Sequence, residues 1–161
     1  MFLIIVKTEE EIAKKLWKML DGLELTPGVY LTWAPREKIV KSVDAIKKDV
    51  IKRWEEEGKG PLFEAAVLEL TEEQYKEVRP LARGVVEKIA TAMLEEMERL
   101  LEKMRSGKDR SLSGWYRDLA KRYERLINIT LALDIEPTVM GKLKDKWREV
   151  TLEAGRRLRK S

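Results

Sequence analysis

The chain has 161 residues, 33 of them basic and 29 acidic, with a formal net charge of +4 and an apolar share of 43%. That supplies apolar material for a packed core and length for one domain, or for a small domain with an appended helical unit. Cysteine and histidine are absent, which excludes a disulfide framework, a zinc–thiolate site, a thiolate nucleophile and the commonest general base. Gln74 and Asn128 are the sole side-chain amides, while 39% of residues are charged; that balance is expected of a hyperthermophile protein. The apolar start Phe2–Val6 leads straight into Lys7, too short for a signal peptide or a membrane span. A cytoplasmic location without membrane association is the expectation.

Phe2 to Val6 is a β-branched and apolar run that suits a buried strand. Thr8 followed by Glu9, Glu10 and Glu11 reads as an N-cap with its capping-box acid. Ile12, Leu16, Met19 and Leu20 then predict an amphipathic helix over 9–21, stopped by Gly22. Leu23–Leu25 and Val29–Trp33 flank Thr26-Pro27-Gly28, a hairpin pattern closed by Pro35. Ile39, Val43, Ile46, Val50 and Trp54 predict a second helix with Trp54 in its core-facing stripe, and Gly58-Lys59-Gly60-Pro61 ends it. Leu62 to Leu70 is the last strand. The order is β-α-β-β-α-β, the pattern of a ferredoxin-like sheet over residues 1–70.

From Thr71 the pattern becomes helical. Thr71 with the acids after it and Gln74 is a second capping signal, opening a long helix over 71–104 that Pro80 is expected to break or kink. Its apolar stripe runs Val85, Val86, Ile89, Met93, Met97, Leu100, Leu101 and Met104. A polar loop over 105–110 separates it from a helix over 113–133, and Asp134 to Pro137 lead to a last helix over 138–159. The predicted fold is therefore α+β and majority helical: a ferredoxin-like βαββαβ domain at 1–70, then a three-helix unit at 71–161.

No catalytic constellation emerges. Glu9–Glu11, Glu55–Glu57, Glu95 and Glu96 sit where helix starts and solvated helix faces place acids. Gly58-Lys59-Gly60 lacks the spacing of a phosphate loop. Ser111, Ser113, Tyr116 and Tyr30 have no base beside them in sequence. No catalytic residue, metal or cofactor is expected. Of the five tryptophans, Trp33 suits either core or a dimer contact, and core packing is the better reading for the others.

Charge is more informative. Residues 1–104 carry 18 basic and 21 acidic side chains, whereas 105–161 carry 15 and 8, so the positive charge lies in the last third. Arg117, Lys121 and Arg125 are spaced by four and align on one helix face, where they can track phosphates. Lys142, Lys146 and Arg148 follow with Lys144, then Arg156, Arg157, Arg159 and Lys160. The last cluster also complements a helix dipole without any partner.

Trp17 in the first helix, Gly28-Val29-Tyr30-Leu31 ending near Pro35, and the Gly58/Gly60 turn before a strand resemble the N-terminal region of the chromate-resistance protein ChrB family. The likeness continues through the Thr-Glu-Glu-Gln helix start at Thr71 and through Arg122, Arg125, Leu126, Ile129 and Asp134, over roughly residues 1–155. The family's Asp-Phe-Phe-type ending is Asp134-Ile135-Glu136 here, and chromate sensing is not part of the expectation. The resemblance implies a regulatory, DNA-binding protein. Together the readings lead to a non-enzymatic homodimer that binds nucleic acid through Arg117, Lys121, Arg125, Lys142, Lys146 and Arg148. The alternative is a scaffolding subunit contacting a protein partner through the Met-rich stripe of the long helix.

Overall fold

A computed structural model of the chain describes residues 1–107 and 111–157. Arg159, Lys160, the end of the helix predicted over 138–159 and residues 108–110 of the predicted loop lie outside them. The fold is α+β and mostly helical, in two compact units, Met1–Ala82 and a second that begins at Arg83. The first holds β1 (Phe2–Thr8), α1 (Glu10–Trp17), β2 (Gly22–Thr26), β3 (Val29–Thr32), α2 (Arg36–Glu57), β4 (Phe63–Glu69) and the opening turns of α3 (Glu72–Ser106). The second holds the rest of α3, α4 (Leu112–Leu133) and α5 (Met140–Arg157).

The four strands form one antiparallel sheet in the order β2-β3-β1-β4. β1 pairs with β3 on one side (Ile4 opposite Tyr30) and with β4 on the other (Ile4 opposite Val67). Alternation along the strands sends Phe2, Ile4, Tyr30, Phe63, Ala65 and Val67 to the helix-covered side. There they meet Ile12, Leu16 and Trp17 of α1 and Ile39, Val43, Ile46 and Val50 of α2. The second unit buries Val86, Ala90, Met93, Met97, Leu100 and Met104 of α3. Their alternating four- and three-residue spacing keeps one stripe facing inward along the helix.

Tyr30 organises the first unit. Its ring stacks on Trp17 at 4.4 Å with an interplanar angle of 4°. Its hydroxyl, buried, donates to the carbonyl of Leu20 at 2.7 Å and lies 3.3 Å from that of Trp17. The Trp17 carbonyl closes α1 and also accepts the Leu20 N–H at 3.2 Å, and the Leu20 carbonyl belongs to the turn that follows, so the Tyr30 hydroxyl ties this turn to the sheet. This corrects the predicted helix over 9–21. It stops at Trp17, and Gly22 is the first residue of β2, where any side chain would collide with the Leu31 carbonyl and the Tyr30 ring.

Three further expectations change. Thr8 does not cap α1; it belongs to β1 and donates its hydroxyl to the Leu62 carbonyl at 2.6 Å. Glu9 takes the N-cap position without a side-chain bond. Trp54 leaves the core and is 48% exposed: the two final four-residue steps from Ile46 advance each contact by about 40° around the helix. Its indole N–H instead reaches the Pro61 carbonyl at 2.9 Å. Pro80 does not break α3, which continues through it; one missing N–H in an early turn leaves the hydrogen bonds on either side to carry the helix. The Thr71 box does form, with Thr71 N–H donating to Gln74 Oε1 and Gln74 N–H to Thr71 Oγ1.

Gly22→Ala should lower stability by about 2–3 kcal/mol through overpacking against Tyr30. The midpoint of urea unfolding of the full chain is the measurement, and a neutral result would remove the Tyr30–Gly22 contact as the organiser of this unit.

Candidate nucleic-acid interface

α4 carries the first three candidate residues. Its buried face is Leu112, Leu119, Leu126, Ile129 and Leu133. Two other sides are fixed by polar and aromatic contacts. Towards α3, the Trp115 indole N–H donates to Glu96 Oε1 at 2.8 Å, and Arg122 makes a bidentate pair with the same carboxylate at 2.6 and 2.8 Å. Arg122 Nε also donates to Asp118 one turn back. Towards α5, Trp147 packs against both Tyr116 and Tyr123, at 5.6 and 5.0 Å between ring centres.

Arg117, Lys121 and Arg125 occupy what remains. At 3.6 residues per turn they form a single exposed row turned away from Leu119 and Leu126. No ion-pair partner stands beside any of the three among the described residues. Asp118 and Glu124 border the row.

α5 does not gather its three candidates. Its buried face is Met140, Leu143, Val150 and Ala154. Lys142 and Lys146 fall on one flank of it and Arg148 on the other, more than 90° around the helix. Lys146 is half-buried and paired to Glu149 at 3.4 Å. Arg156 and Arg157 both turn to Glu153. The structure thus joins Arg117, Lys121 and Arg125 into one surface and leaves Lys142, Lys146 and Arg148 apart from each other.

A second basic feature was not predicted. Arg99, Glu102, Lys103 and Ser106 of α3 and Trp115 of α4 line a shallow, open depression. The Lys103 ammonium lies 6.0 Å from the Trp115 ring centre. Arg99, Lys103 and Ser106 are one helix row at four- and three-residue steps. The net negative charge of the surrounding segment hides that row from a charge count, and Trp115 reads as core by its apolarity. No group of three or more metal-binding side chains occurs among the described residues, and no helix there is long and apolar enough to cross a membrane.

The Arg122 hydrogen bonds, with help from the Trp115 indole, hold the Glu96 carboxyl below the usual glutamate range despite the opposing effect of its burial. A depressed folded-state pKa means stability that is present above the unfolded value and lost as pH falls through the folded one.

Comparison with known proteins returns no match: no family model, no curated protein and no solved structure is similar to the chain.

Glu96→Gln should cost about 1–2 kcal/mol at neutral pH, from a charge-assisted bidentate pair on a partly exposed surface. The gap between the variant and the parent should narrow as pH falls below the ordinary glutamate range, because the stability that comes from the lowered Glu96 pKa is lost there. Urea unfolding at pH 7 and pH 3 checks both statements; a gap that widens in acid would contradict the assignment.

Proposed function

We propose that the chain is a non-enzymatic, ChrB-like nucleic-acid-binding or regulatory protein that holds a phosphate backbone on the exposed face of α4. One observation carries this reading: Arg117, Lys121 and Arg125 stand in an exposed row without ion-pair partners among the described residues, while neighbouring cations such as Arg122 and Lys146 are taken up by carboxylates. Net charge supports it, since residues 83–161 carry 19 basic and 13 acidic side chains against 14 and 16 in residues 1–82. Cations in a row contact phosphates and supply affinity with little base discrimination. Of the α5 residues, Lys142 and Arg148 add to the general field, and Lys146 contributes least because Glu149 already holds it.

The first unit is read as ferredoxin-like. In support, each βαβ segment is split by one intervening strand: β3 lies between β1 and β2, and β1 between β3 and β4. The scaffolding alternative loses its original motive, because Met93, Met97 and Met104 are buried within the second unit. It gains another in the exposed Ile51, Trp54, Leu62 and Leu68 of the first.

Fluorescence anisotropy of labelled duplex DNA, single-stranded DNA and RNA at about 50 mM salt tests the nucleic-acid reading. Changing Arg117, Lys121 and Arg125 together to Glu should weaken binding by about 100-fold or more, because each lost phosphate contact is replaced by repulsion. Lys146→Glu should have a much smaller effect. No binding at that salt, or binding indifferent to the triple reversal, contradicts the proposal.

A further inference from the structure

β4 is an edge strand whose outer side pairs with no other strand among the described residues. Its seven residues pair with β1 in continuous register, without a bulge, and contain no Lys, Pro or Gly. Such an edge invites another strand. The opposite edge is managed differently: β2 is short, its register shifts between Glu24 and Thr26, and Pro27 follows it.

Apolar side chains left out of the core gather beside the same edge. On α2, Lys15 of α1 meets Asp49 at 3.5 Å, which fixes the side turned to α1. Val40, Ile51 and Trp54 lie on the other side of the core-facing stripe. Trp54 is tied to Pro61, just ahead of β4, and its ring lies against Gly60, where a Cβ would come within 2.8 Å of it. The exposed stripe therefore flanks the open edge, where Ile51 is 55% exposed, Leu62 52% and Leu68 47%.

The strand is also complementary to itself. We propose that β4 pairs antiparallel with β4 of a second copy of this chain, about a two-fold axis at Ala66, extending two four-stranded sheets into one of eight. In that register Phe63 faces Glu69 of the other copy, Glu64 faces Leu68, and Ala65 faces Val67, so no like charges oppose. Glu69 is already neutralised by Arg36 at 2.6 Å. Odd-numbered residues meet odd-numbered ones, so both copies keep their helices on the same side of the joint sheet. The two α2 stripes then meet across the axis and cover Ile51 and Trp54. A slip of one residue would set Glu64 against Glu69 and turn the helix layers to opposite faces. Charge and face parity both exclude that slip, and of the registers that satisfy them the Ala66-centred one pairs all seven residues of the strand.

The absence of cysteine makes the test direct, because Ala66→Cys introduces the chain's one thiol. Directly opposed residues of an antiparallel pair have Cα atoms about 4.5–5.5 Å apart, within disulfide reach. The symmetry mates of Glu64 would be four residues out of step, about 13 Å along the strand. Light scattering of the full chain, without nucleic acid, should give twice 18.8 kDa. Mild oxidation or a short bis-maleimide should cross-link Ala66→Cys and spare Glu64→Cys. Ile51→Glu with Leu68→Glu, both at exposed positions, should weaken dimerisation at least tenfold, because Glu at 68 would face Glu64 of the other copy, while far-UV circular dichroism is unchanged. A monomer at about 100 μM overturns the proposal, since a standard two-fold interface is far tighter than that. A dimer that fails to cross-link through Ala66→Cys, or that links equally through Glu64→Cys, overturns it too. None of these readouts depends on phosphate binding, so this interface and the α4 reading fail separately.

Discussion

The carboxylate of Glu96 decides which way α4 faces. It accepts the Trp115 indole N–H and both outer nitrogens of Arg122, so one side of the helix is bound to α3. Leu119 and Leu126 take the buried side, and Tyr116 and Tyr123 bracket Trp147 of α5 on another. Once those sides are assigned, Arg117, Lys121 and Arg125 are what is left for solvent. Their exposure is a consequence of packing, and the proposed phosphate contact draws on their lack of carboxylate partners among the described residues. Desolvating a free cation against a phosphate releases counterions without breaking an existing pair. Arg122 would have to give up Glu96 first.

The first unit rests on an equivalent arrangement with different chemistry. Tyr30 reaches across from β3 to close the end of α1, and Gly22 makes room for its ring. The helix end, the start of β2 and the centre of the sheet are thereby held by one side chain. Glu24 adds to this by accepting the Trp17 indole N–H. With both helices on one side of the sheet, the cover over Phe2, Ile4 and Tyr30 is complete. The edge at β4 is left with apolar neighbours and, among the described residues, no strand of its own.

Periodicity made most of this legible in the sequence. The order of elements, the hairpin around Pro27 and Gly28, and the extents of α2 and α4 follow from apolar spacing and turn residues, all local signals. What failed depended on distant residues. Thr8 has the right neighbours for a cap, but Leu62, 54 positions away, offers its hydroxyl a better partner. Thr71 has no such competitor, and its box forms. Trp54 matches the stripe by spacing, yet the accumulated rotation carries it off the sheet. The candidate site was half legible for the same reason. Spacing by four put Arg117, Lys121 and Arg125 on one face, whereas Lys142, Lys146 and Arg148 were joined by charge alone, although the two-residue step from Lys146 to Arg148 already turns them to different sides of a helix. Nor did composition reveal that Arg122 is held by an acid 26 residues earlier, or that Arg99, Lys103 and Trp115 converge.

The central claim is that Arg117, Lys121 and Arg125 of α4 meet phosphates, and the salt dependence of duplex binding tests it most directly. Each phosphate contact contributes about 0.9 to the slope of log affinity against log salt. Neutralising Arg117, Lys121 and Arg125 to Gln should therefore make the slope shallower by about 2.7, with the fold unchanged by circular dichroism. A slope identical to that of the parent chain would mean that whatever binds DNA does so elsewhere, and the account given for α4 would be wrong.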